Sequence, residues 1–166
     1  MANPGSSAVK LVADELRHVL KAEREKHNLG RALAAPQIGA PIRVVYAELG
    51  AKQRWVLVNP EIVDVGTDDF LVWDDCFSFP DLMVRVQRSH RIKVRYQDLR
   101  GKTQTVELEG DAAELIQHEM DHLDGVLAVD RAVGLDPFCL RTEWEKHYAG
   151  KGRYGAPAPR TAPQVV

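Results

Sequence analysis

The chain has 166 residues, 45% of them hydrophobic and 28% charged, with a formal net charge of -2. That balance suits one globular domain and leaves no basic excess for binding nucleic acid. Two cysteines, Cys76 and Cys139, are too few for a disulfide framework and point to free thiols or metal ligation.

Residues 1–7 lack the basic flank and apolar core of a signal peptide, and no later apolar run has the length of a membrane span, so the expected compartment is the cytoplasm. Val9, Val12, Leu16, Val19 and Leu20 recur at helical spacing and predict an amphipathic helix over residues 9–26, ended by Asn28 and Gly30. From Ala40 the pattern changes to short β-rich runs at 42–47, 55–58, 61–65, 70–73, 83–87, 91–96 and 103–108. Asn59-Pro60, Gly66, Phe79-Pro80-Asp81 and Leu99-Arg100-Gly101 supply the expected breaks.

A second helix is predicted from Asp111 to about Leu123, where Asp111 and Glu114 have the spacing of a capping box and Gly125 follows as a stop. A third, over 137–148, has Pro137 near its start and Phe138, Leu140 and Trp144 as its apolar positions. Beyond Gly150 the chain is Gly, Pro, Ala and Arg with almost no large apolar residue, which predicts a disordered tail at 151–166 after a single domain at 1–150.

The second helix carries an H-E-x-x-H segment, His118-Glu119-Met120-Asp121-His122. Histidines four apart share one helical face and converge on a point, which suits a first-row metal. A catalytic zinc-type site wants a third protein ligand and an open position, and Cys76, in a turn-rich segment, is the candidate. Glu119 is placed to take a proton from an activated water, and Asp121 to hold a ligand by a hydrogen bond. A charged helix that merely carries two histidines, and a buried inert thiol, are the plainer readings of the same residues. Gln37, in the small-residue run 33–39, offers a neutral donor to a developing oxyanion, or else only shapes a turn. Cys139 is expected to be a buried small residue, His18 and His27 to be solvated, and Trp55, Trp73 and Trp144 to pack.

Three ordered segments carry a resemblance: Leu33-Ala34-Ala35-Pro36-Gln37-Ile38-Gly39, Asp74-Asp75-Cys76-Phe77-Ser78-Phe79-Pro80, and Gln117-His118-Glu119-Met120-Asp121-His122-Leu123-Asp124-Gly125. Together they resemble the motifs of the peptide deformylases across roughly residues 10–131. The resemblance implies an α+β fold, with antiparallel sheets around a central metal-bearing helix. It implies one divalent ion, Fe2+ or Zn2+ with Ni2+ or Co2+ as substitutes, held by Cys76, His118 and His122. Glu119 would be the acid/base, and Gln37 with the Phe77 backbone N–H the oxyanion hole. Arg88, which matches an arginine following the second motif, would pair with Asp74 and brace the Cys76 loop, or else form an ordinary surface ion pair. The implied reaction is removal of an N-formyl group from formyl-methionyl peptides by metal-bound hydroxide.

Departures from the family pattern give an alternative. Asp75 stands where the second motif has glycine, and Arg31, Asp111 and Glu114 fall, with Leu115, at positions that in the family form a largely apolar substrate pocket. Asp111 and Glu114 either only cap the helix or line a polar pocket. The alternative is therefore a deformylase-like amidohydrolase acting on another formylated or acylated amine, such as a small formamide. A non-catalytic descendant fits less well, because a structural metal needs neither Glu119 nor Gln37. An H-E-x-x-H metalloprotease lacks a good downstream third ligand.

Overall fold

The computed structural model describes residues 1–27, 30–50, 53–148 and 158–159. Helix α1 is Ser7–His27, followed by β1, Ala32–Ala34, and a 3-10 turn, Ala35–Ile38. Strands β2 to β7 are Val44–Gly50, Gln53–Val65, Asp69–Cys76, Phe79–Ser89, Arg91–Gln97 and Thr103–Glu109. Helix α2, Gly110–Leu123, leads through a 3-10 turn, Ala128–Arg131, to β8, Phe138–Leu140, and α3, Arg141–Tyr148. Ala158–Pro159 forms a two-residue β9 against Phe70 and Leu71. The remainder of the 151–166 segment, expected to be a disordered tail, lies outside the described residues, as does Asn28.

The strands form two antiparallel sheets, ordered β1-β2-β3-β6-β7 and β8-β5-β4-β9. Alternation decides what each face of the larger sheet meets. Leu33, Val44, Tyr46 and Val58 pack on Val9, Leu16 and Leu20 of α1, while Ala34, Val45, Ala47 and Leu57 pack on Ala113, Ile116 and Met120 of α2. The smaller sheet closes over α2 from the opposite side, with Phe70, Val72, Val84 and Val86 in its own apolar cluster. Nine residues of α2 are consequently buried, including Glu114, His118, Glu119, Asp121 and His122. The expected α+β fold, with antiparallel sheets around a central helix, is the observed one. No described helix is long and apolar enough to cross a membrane.

Several predicted boundaries move, each for a tertiary reason. Asn59-Pro60 does not end a strand: β3 runs through it because Asn59 takes a positive φ of 49° and the register with β6 shifts between Val58 and Glu61. A bulge of this kind absorbs the missing proline N–H. The Asn59 side chain also bonds both backbone polar groups of Ala2, each at 2.8 Å. The hairpin break expected at Phe79-Pro80-Asp81 falls two residues earlier, since Cys76 pairs with Phe79 across the turn Phe77–Ser78. At Leu99-Arg100-Gly101 the break is as expected, and Asp98 Oδ1 accepts the N–H groups of Arg100 and Lys102 there.

The third predicted helix is half strand. Leu82, Met83 and Val84 of β5 recruit Phe138–Leu140 as an edge strand, leaving Phe138 and Leu140 exposed, and only Trp144 of the predicted apolar set is buried. Cys139 accordingly sits half-buried on that strand and not inside a helix. The expected capping box is absent: the N-cap of α2 is Glu109, without a side-chain cap bond, while Asp111 pairs with Arg31 and Glu114 is buried in the interior.

Candidate active site

Cys76 ends β4, and His118 and His122 lie one turn apart on α2, so the site assembles where the smaller sheet meets the central helix. All three are buried, and their donor atoms lie within 4.8 Å of one another. His122 Nε2 is 3.1 Å from Cys76 Sγ and 3.1 Å from His118 Nε2. Burial opposes ionisation of the Cys76 thiol, but hydrogen bonds from His118 and His122 outweigh it and bring the thiol down to about 5. A thiolate and two imidazoles turned towards one point are the donor set of a borderline-soft divalent ion. These residues fit such an ion.

Asp74 precedes Cys76 by two on β4 and therefore shares its face. Its carboxylate lies 2.9 Å from His118 Nδ1 and accepts a bond from Arg88 at 2.9 Å. Burial disfavours the Asp74 anion, yet His118 and Arg88 hold its carboxyl down to about 2. Arg88, itself only 4% exposed, also donates to Asp121 at 2.5 Å, and Asp121 accepts from Arg131. The carboxylate that orients a histidine ring is thus Asp74, and Asp121, expected in that role, serves the arginines instead. The Asp74–Arg88 pair implied by the resemblance is present and buried beside the Cys76 loop, not an ordinary surface ion pair.

Glu119 is buried beside the trio, and its Oε2 has no hydrogen-bond partner among the described residues. Burial pushes its carboxyl up to about 7, the nearby His118 and His122 opposing and Cys76 and Asp74 reinforcing the shift. A carboxyl poised there can both take and return a proton near neutrality. The 3-10 turn after β1 brings in Gln37, whose Oε1 accepts the Ala34 N–H at 2.8 Å and whose Nε2 lies 3.9 Å from Cys76 Sγ. One cavity of about 30 Å3 joins Cys76, His118 and Glu119 to Gln37, Phe77 and Glu114, with Arg31 and Leu115 also in its wall.

Residues 2–137 match the family model described as polypeptide deformylase. The chain belongs to the peptide deformylase family. The peptide deformylase of Thermotoga maritima is 44% identical over 105 residues, a stretch covering 63% of this chain and 63% of that one. That of Heliobacterium modesticaldum is 44% identical over 108 residues, 65% of this chain and 70% of the relative. The chain thus spans less than two thirds of the length of the Thermotoga relative. Among solved structures, the Thermus thermophilus peptide deformylase superposes with a TM-score of 0.71 at 34% identity, over 80% of this chain and 75% of that one. The Arabidopsis thaliana peptide deformylase 1B, in complex with an inhibitor, gives 0.72 at 29% identity, over 80% and 72%.

Within this peptide deformylase family fold, all the residues singled out from the sequence converge except Asp111, which stands at the rim, its side chain 57% exposed and 2.6 Å from Arg31 Nη1. Sequence reasoning missed Arg141, which donates to Asp75 at 3.1 Å and offsets the acid that replaces the family glycine. No local signal marks that pair, which is separated by 66 positions. His27, expected in solvent, is half-buried, with its ring 6.3 Å from that of Phe77. The Phe77 ring also covers Gly30, which has φ +94° and where a Cβ would lie 2.0 Å from Phe77 Cζ. Gly30→Ala is therefore expected to lower stability by about 2–4 kcal/mol, from backbone strain plus displacement of the ring, measured by urea denaturation. An unchanged midpoint would mean that Phe77 is free to move.

Proposed function

We propose that the chain is a metal-dependent amide hydrolase that removes the formyl group from N-formylated peptides. The observation that carries this reading is a cavity lined by Glu119, Gln37, Cys76 and His118, with His122 completing the donor trio beside it, within a peptide deformylase family fold. Cys76, His118 and His122 would hold one divalent ion, Fe2+ or Zn2+, which supplies Lewis acidity towards water and the acyl oxygen when bound.

The rest is the work of side chains. Glu119 accepts a proton from the attacking water as its oxygen bonds to the formyl carbon, then passes that proton to the amine nitrogen as the C–N bond breaks. Formate and a free amino group leave. Gln37 Nε2 and the Phe77 backbone N–H donate to the oxygen on which negative charge develops. Asp74 takes the Nδ1 hydrogen of His118, which fixes the ring and turns Nε2 towards the ion site. Arg88 keeps Asp74 ionised for that task.

The test is formate release from N-formyl tripeptides by protein loaded anaerobically with ferrous or cobalt ion. Turnover that depends on the ion supports the reading. Stoichiometric metal with no formate from any formyl peptide overturns it.

A further inference from the structure

The wall of the cavity beyond the trio is polar where a thioether pocket needs to be apolar. Glu114 sits one turn before His118 on α2, is 2% exposed, and lines the same cavity as Cys76 and Glu119. Its Oε2 has no hydrogen-bond partner among the described residues. Arg31 reaches the cavity from the start of the segment that becomes β1, steadied by Asp111. Against these polar groups the apolar lining is chiefly Leu115 and the Phe77 ring. Because Cys76, His118, Glu119 and Glu114 line one cavity of about 30 Å3, the substituent nearest the scissile amide nitrogen would meet Glu114.

An apolar side chain there leaves the buried Glu114 oxygen without a hydrogen-bond partner, which is among the stronger ways a site can reject a ligand. A side chain with an N–H or O–H satisfies the same oxygen. Helix capping does not account for Glu114, since the N-cap is Glu109 and the Glu114 side chain is buried in the interior.

Resting on the amide-hydrolase reading, we propose that Glu114 and Arg31 determine specificity, and that the residue bearing the formyl group carries a hydrogen-bond-donating side chain, a hydroxyl or carboxamide, in place of the thioether of methionine.

The experiment compares formyl-Xaa-Ala-Ser peptides, Xaa being Ser, Asn, Met or norleucine, with the full-length cobalt-loaded protein. It reads kcat/KM for formate, and in parallel calorimetric binding of the deformylated peptides Xaa-Ala-Ser. The Ser or Asn peptide is expected to exceed Met and norleucine by at least about tenfold in both readouts. Glu114→Leu with Arg31→Leu should reverse that order, while Glu114→Gln, which keeps the polar group, should preserve it. Preference for Met or norleucine by the unaltered protein overturns the proposal, as does a double variant that folds by circular dichroism yet keeps the original order. If no peptide releases formate, the hydrolase reading fails, and the binding order alone decides whether the pocket assignment stands.

Discussion

Replacing Arg88 with leucine is expected to cost about 3–5 kcal/mol in urea denaturation, because it leaves Asp74 and Asp121 without the cation buried between them. Asp74 keeps His118 and Asp121 keeps Arg131, so neither carboxylate is wholly abandoned, but both lose a bond to a group inaccessible to water. Arg131 provides the internal comparison. It donates to the same Asp121, yet its side chain is 51% exposed, so Arg131→Ala is expected to cost under about 1 kcal/mol. Equal losses at the two positions would show that burial does not govern this network. Formate release should fall in Arg88→Leu as well, through misorientation of His118, and should be little affected in Arg131→Ala.

The Glu119→Gln variant is expected to lose about 10²–10⁴-fold in the rate of formate release, the usual worth of a positioned proton carrier. It should lose no stability, since a carboxylate buried without a partner on one oxygen becomes a neutral amide of the same shape. Metal content after loading should match the unaltered protein, because Cys76, His118 and His122 are untouched. A variant that sheds its metal along with its activity would make Glu119 a support for the ion site instead of a proton carrier.

What could be read from the sequence was whatever depended on local spacing. The H-E-x-x-H segment places two histidines on one helical face whatever surrounds them, and alternation in 91–96 marks a half-buried strand without knowledge of its partners. What could not be read depended on groups distant in the chain. Asp121 stands next to a histidine in sequence but turns to Arg88, while the ring partner, Asp74, arrives from 44 positions away. Asp111 and Glu114 have capping-box spacing, yet the N-cap is Glu109, Glu114 turns into the pocket, and Asp111 stays at the rim against Arg31. Pro60 signals a strand end by itself, and only the register shift against β6 lets the strand continue. Phe138 and Leu140 look helical because their spacing is not distinctive, and the open edge of β5 decides the matter.

The β4–β5 hairpin is inserted between β3 and β6, which pair with each other around it. The thiol therefore travels with one sheet and the imidazoles with a helix packed beneath the other, and the hairpin's return has to be completed before they meet. Contacts of that separation form late, after shorter loops have closed. Neither sheet alone brings the three donors together, so an ion gripped by all three reports that both halves of the chain have found each other. Metal uptake followed in time during refolding would serve as a clock for the last long-range step.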